Sequence, residues 1–140
     1  MTTRYMLDTN IVSQLLREHP NVLARVLATP MEALCISSIT EGELLFGLAN
    51  NPTNLKLKQA VQELLRRVDS LPWDSTTARQ YGQLRADMQK QGKGIGNLDL
   101  LIAAHAVSID AILVTNDQAI FQVPNVKIED WTSQLVQRPH

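Results

Sequence analysis

The sequence predicts an α/β/α sandwich built on a central, mostly parallel sheet of about five strands. Three observations lead there. Short apolar runs rich in β-branched residues alternate with longer segments of helical period. Strands separated in this way by helices pair in parallel and leave both sheet faces to be covered. One of the long segments, "NLDLLIAAHAV", is apolar nearly all round, as a helix buried against a sheet must be.

The elements follow in order. "RYML" is the first strand, with a short helix from Asn10 to Arg17 and another from Asn21 to Ala28 that must end before Pro30. "ALCIS" is the second strand, and the helix after it carries Glu43. Leu57, Val61, Leu64, Leu65 and Val68 share one helical stripe, after which "VDSLPW" reads as the third strand. "TTARQYGQLRADMQKQG" sets Ala78, Tyr81, Leu84, Arg85 and Met88 on one side, with Gly92 as its stop signal. The buried helix, then the strands "AILVT" and "VKI", complete the unit. One domain over 1–132 is expected, with 133–140 as a tail without functional signal.

Composition narrows the classes. At 140 residues the chain is long enough for one self-supporting core. That core is aliphatic, because aromatics make up only 4% of a sequence that is 44% hydrophobic. Cys35 is the sole cysteine, so neither an intrachain disulfide nor a cysteine-rich zinc site can form, and a reducing compartment is expected. Within "LCIS" it reads as buried and inert. No secretory signal pattern or membrane-length apolar run is present, so the expected location is the cytoplasm. A formal net charge of -1 neither supports nor excludes a nucleic-acid partner, and any basic surface must be local.

Parallel sheets place their sites outside the carboxyl ends of the strands. Asp8 ends the first strand and Asp117 follows the fourth. Glu43 lies about one turn into the helix after "LCISS", and Asp99 lies in the first turn of the buried helix, delivered by the loop 89 to 96. Each acid also has a plain structural reading. Asp8 can shape a turn, Asp99 suits the positive end of a helix dipole, and Thr40 with Glu43 fits a capping box. Ser38 with Glu41 fits one equally well, which leaves Glu43 free to point inward. Asp99, flanked by Leu98, Leu100 and Leu101, enters an apolar neighbourhood that a carboxylate does not enter without cause. Several carboxylates at one rim repel unless a cation compensates them, and an all-oxygen donor set suits Mg²⁺ or Mn²⁺. Zinc is disfavoured, since His19, His105 and His140 have no ligand spacing and His105 reads as packing inside its helix.

"MLDTNIVSQLL", "CISSITEGELLFGL", "GKGIGNLDLLIAAHA" and "ILVTNDQAIFQVPNVKIEDW" occur in that order over nearly the whole chain. Together they resemble PIN-domain ribonucleases, specifically the bacterial VapC toxins, and within them the enteric type that acts on initiator tRNA. The resemblance implies a PIN-domain α/β/α sandwich and a metal-dependent endoribonuclease that cleaves through an activated water. It places the family's acidic positions at Asp8, Glu43, Asp99 and, where some relatives carry asparagine, Asp117. Thr9, Asn10, Ser38 and Thr115 match small polar positions around the site. It further implies an activity that inhibits translation, a homodimer, and a cognate VapB antitoxin that holds the toxin inactive. The stripe from Leu57 to Val68 is compatible with a dimer or antitoxin groove and equally with core packing.

RNA must be held beside these acids. Arg85, with Lys90 and Lys93 of the "QKQGKGIG" loop, are the candidate phosphate contacts. Gly92, Gly94 and Gly96 match no nucleotide fingerprint and read as a turn. Trp73 and Trp131, near strand ends, read as packing rather than base platforms. Two other readings carry the same fold. A phospho-acceptor receiver domain needs an acidic pair after strand one and a lysine after a late strand, and "VTND" offers no lysine. A non-catalytic interaction module that keeps the fold is separated from a nuclease by an RNA cleavage assay.

Overall fold

The computed structural model describes residues 3–133. Its centre is a five-stranded sheet in the order β3-β2-β1-β4-β5, parallel at every pairing. The strands are β1 (Tyr5–Leu7), β2 (Leu34–Ser37), β3 (Asp69–Leu71), β4 (Ile112–Val114) and β5 (Ile128–Glu129). The helices are α1 (Thr9–Leu16), α2 (Pro20–Leu27), α3 (Ser38–Ala49), α4 (Leu55–Arg67), α5 (Ser75–Lys90) and α6 (Asn97–Ser108). Two short 3₁₀ turns, Met31–Ala33 and Gln118–Gln122, complete the described elements. The expected sandwich is therefore present. Most of the expected tail, residues 134 to 140 with His140, lies outside the described residues.

Pleating divides the core in two, because successive strand side chains face opposite ways. Met6, Cys35 and Leu113 pack on one face against Leu84 and Met88 of α5 and Leu100, Ala103 and Ala104 of α6. Leu7, Leu34, Ile36 and Val114 pack on the other against Ile11 and Val12 of α1 and Val61 and Leu64 of α4. The stripe on α4 is thus mainly core: Val61, Leu64 and Val68 are buried, and Leu57 and Leu65 pack against them. The exposed apolar side chains are others, notably Leu27, Phe46 and Leu55. Cys35 is buried, and that burial pushes its thiol up to about 11, so it is inert as expected.

The strands are shorter than their apolar runs. β3 stops at Leu71 because Pro72 has no backbone N–H to give the ladder. β5 covers Ile128–Glu129 rather than "VKI", although the Lys127 carbonyl still accepts from the Leu113 N–H at 2.8 Å. α5 ends as Gly92 predicts. With φ at +67° Gly92 takes the left-handed conformation, and the Gly92 and Lys93 N–H groups return to the carbonyls of Gln89 and Met88. That turn sends the chain back along α5 toward the start of α6.

Candidate active site

Asp8 follows β1 directly and caps α1, so its plain reading as a helix starter is realised. Its Oδ1 accepts from the Thr9 N–H at 2.8 Å. Its Oδ2 accepts from the Thr115 hydroxyl, also at 2.8 Å. Asp8 is 2% exposed, and burial holds its carboxyl above the ordinary carboxylate range. The bonds from Thr115 and Thr9 counter that rise, and the charges of Asp117 and Glu43 add to it.

Thr115, fully buried just after β4, ties two acids together. Its hydroxyl donates to Asp8 while its oxygen accepts the Asp117 N–H at 3.1 Å. Asp117 in turn caps the following 3₁₀ turn by accepting from the Ala119 N–H at 2.9 Å. Asp99 stands in the first turn of α6, with its carboxylate folded back over Gly96. A Cβ at Gly96 would lie only 3.2 Å from Asp99 Oδ2. The Asp99 carboxyl is raised to about 6, first by burial, then by a side-chain hydrogen bond with Asp117 and by the charges of Asp8, Asp117 and Glu43. Glu43, half-buried on α3, is the fourth member.

The charges of Glu43 and Asp117 thus bear on both Asp8 and Asp99, and that of Asp8 on Asp99, although the four come from separate parts of the chain. They do not yet share an ion-sized position: among the described residues no three His, Cys, Asp or Glu side chains converge to hold a metal ion. Asp8 has one contact fixed on each oxygen, which leaves further lone pairs on both. The donor set is oxygen only and carries excess negative charge, which fits a hard divalent cation such as Mg²⁺ or Mn²⁺.

The small polar positions behave individually. The Thr9 hydroxyl lies 3.1 Å from that of Thr40, which ties α1 to α3. Asn10 Oδ1 is buried without a hydrogen-bond partner. Ser38 Oγ accepts from the Trp73 backbone N–H at 3.1 Å and so secures the segment after β3 rather than an acid. Neither expected capping box forms. Ser37 is the cap of α3, its Oγ accepting from the Ile39 N–H, and Glu41 accepts from the Ser70 hydroxyl.

Sequence reasoning passed over Ser37, read Thr40 only as a cap and read His105 as packing, which its burial bears out while leaving its bond to Ser37 unforeseen. His105 is buried and its Nδ1 lies 2.8 Å from Ser37 Oγ. The buried Ser37 hydroxyl needs an acceptor for its proton, and Nδ1 is the one within hydrogen-bond reach, which assigns the imidazole as the neutral form with hydrogen on Nε2. Burial also lowers the His105 pKa, against the opposing charge of Asp74. This bond joins the start of the helix carrying Glu43 to the helix carrying Asp99. The one available signal was that Ser37 closes an apolar run and so must find partners inside.

His19 caps α2 by accepting from the Val22 N–H, well apart in role from the acids. Trp73 donates to the Leu101 carbonyl and packs edge-on to Tyr81. Trp131 is buried beneath Arg25, so both tryptophans pack as expected. Arg85 and Lys93 line one cleft together with Asn97 and Leu100, whereas Lys90, exposed at the end of α5, does not line it.

Comparison with known proteins identifies the family to which this fold belongs. Residues 5–126 match the family described as PIN domain. The chain is 35% identical over 131 residues to Ribonuclease VapC1 of Haemophilus influenzae strain R2866, covering 91% of this chain and 98% of that relative. It is 32% identical over 130 residues to the tRNA(fMet)-specific endonuclease VapC of Shigella flexneri, covering 92% and 98%. The crystal structure of VapBC2 from Rickettsia felis bound to a promoter DNA fragment superposes with a TM-score of 0.83 at 31% identity, covering 92% of this chain and 99% of that one.

Proposed function

The chain belongs to the PIN-domain family, in its VapC ribonuclease branch, and from that premise we propose that it is the toxin of a VapBC pair, a metal-dependent endoribonuclease working in the cytoplasm. The observation that carries the reading is Asp99, whose carboxyl is driven to about 6 in part by the charges of three other acids. Such mutual repulsion is the cost of assembling a cation site, and carboxylates perturbed in this way cluster at functional sites.

Asp8 and Asp99 would be the principal holders of a divalent cation, with Glu43 as a further ligand or water-positioning group and Asp117 as an outer or second-ion ligand. When bound, the ion supplies a polarised water and positive charge for the phosphate and the leaving oxygen. The chain's own groups do the rest. Thr115 and the Thr9 N–H fix the Asp8 carboxylate and favour its ionised form. The Thr9–Thr40 and Ser37–His105 bonds hold α1, α3 and α6 in relative position. Water adds to phosphorus as the bond to the leaving ribose oxygen breaks, and no covalent enzyme intermediate is needed.

The likeness to the tRNA(fMet)-specific relative favours the anticodon stem-loop of initiator tRNA as target, with loss of translation as the consequence. The relatives solved as VapBC complexes favour a VapB antitoxin as partner, and the family habit favours a homodimer. Among the described residues no helix is long and apolar enough to cross a membrane. Purified protein is expected to cleave RNA with Mg²⁺ or Mn²⁺, to stop in excess EDTA, and to lose activity in Asp8→Ala. Cleavage that survives EDTA, or that mutation, refutes the mechanism. Mapping cuts in cellular RNA after brief induction tests the target: one cut in one anticodon loop supports it, and scattered mRNA cuts refute it.

A further inference from the structure

A cleft of about 160 Å³ lies between the second half of α5, the loop after it and the first turn of α6, the turn that also carries Asp99. Arg85, Gln89, Lys93 and Asn97 supply its polar lining, and Met88 and Leu100 its floor. Among the described residues no Asp or Glu lines it. Both cations rest on neutral partners: Arg85 donates to the Tyr81 hydroxyl at 3.2 Å, and Lys93 Nζ donates to the Gln122 carbonyl at 3.4 Å. A charge held only by neutral oxygens keeps most of its attraction for an anion.

The backbone builds this pairing. The left-handed Gly92 turn carries Lys93 back alongside Met88 and Gln89, which brings it to the same cleft as Arg85 although the two are eight residues apart in sequence. Asn97 and Leu100 of the lining flank Asp99 in the first turn of α6. The cleft therefore adjoins the turn of α6 that carries Asp99. A polyanion approaching four carboxylates is repelled unless adjacent phosphates are neutralised, and the cations of this cleft are placed to do that.

We propose that the Arg85–Lys93 cleft is a subsite for an RNA backbone phosphate neighbouring the one that is cut. The assignment deepens the nuclease reading and rests on it for the identity of the ligand. The subsite positions the strand and takes no part in bond breaking.

The test is binding of a fluorescently labelled single-stranded oligoribonucleotide to Asp8→Asn protein in Mg²⁺ from about 50 to 200 mM salt. Arg85→Gln, Lys93→Gln, the double variant and Lys58→Gln, a matched charge loss on α4, are compared. Each lost phosphate contact should lower the slope of log affinity against log salt by about 0.7. The two cations share one phosphate, so across that fourfold salt range the parent should lose about two- to threefold more affinity than the double variant. Lys58→Gln should follow the parent. A double variant with the parent's slope, or a Lys58→Gln change as large as the double variant's, overturns the subsite. Circular dichroism of each variant confirms that it is folded. Cleavage by the Asp8-intact protein is read separately: its absence defeats the nuclease reading, whereas an unchanged salt slope defeats only the subsite.

Discussion

Replacing Thr115 by valine keeps the shape of a fully buried side chain and removes its hydroxyl. Two bonds go with it, the 2.8 Å bond to Asp8 Oδ2 and the 3.1 Å bond from the Asp117 N–H. A hydrogen bond to a buried charge contributes about 1.5–3 kcal/mol, equivalent to about 1–2 pKa units on the acceptor. Losing the neutral bond to Asp117 adds about 0.5–1.5 kcal/mol. Thr115→Val is thus expected to cost about 2–4 kcal/mol at pH 8. Only part of that cost depends on pH. The Asp8 carboxyl already sits above its ordinary range, so the folded protein binds more protons than the unfolded chain between the two pKa values, and stability falls as pH rises through that window. Without Thr115 the folded pKa rises further and the penalty at high pH grows. It shrinks again as pH falls and Asp8 takes its proton. Urea unfolding of metal-free protein from about pH 4.5 to 8, followed by tryptophan fluorescence, measures the difference, and a ¹³C titration of Asp8 measures the pKa directly. A cost below about 0.5 kcal/mol at pH 8, or one equal at every pH, would refute the reasoning.

Two more outcomes are expected. Asp99→Asn should abolish cleavage yet raise the melting temperature of the metal-free protein at pH 8, because it removes one charge from a repelling set. The gain should fade below pH about 6, where the native carboxyl is protonated, and a lower melting temperature at pH 8 contradicts the repulsion. His105→Ala should cost about 1–3 kcal/mol or more by leaving the Ser37 hydroxyl without an acceptor, and His105→Asn, whose side-chain oxygen can accept that proton, should recover part of it. Because the His105 pKa lies below its ordinary value, the His105 contribution to native stability should decline as pH falls beneath about 6.5, so the native protein's advantage over His105→Asn should narrow there; equal losses in the two variants would sink the proposed bond.

The order of strands and helices was legible because it is written in short-range periodicity. Apolar runs such as "LCIS" and the stripe from Leu57 to Val68 state their own element type. The parallel sheet then placed Asp8 and Asp117 on one rim by chain direction alone. Ambiguity arose where neighbouring residues offer the same chemistry. Ser37, Ser38 and Thr40 can each cap a helix, and the sequence pattern favoured the wrong two.

Tertiary contacts made that choice. Ser37 caps α3 because His105, 68 residues away, accepts its proton, while Ser38 is taken by Trp73 and Thr40 by Thr9. In the same way the packing of α5 on α6 put Arg85 and Lys93 in one cleft and left Lys90 outside it. The sequence by itself determined which segments are strands and helices and where the acids fall along them, since backbone hydrogen bonding and apolar period act over a few residues. Only the folded structure decided which side chains meet, because a hydrogen bond about 3 Å long is set by how distant elements cross, and no local pattern encodes a crossing.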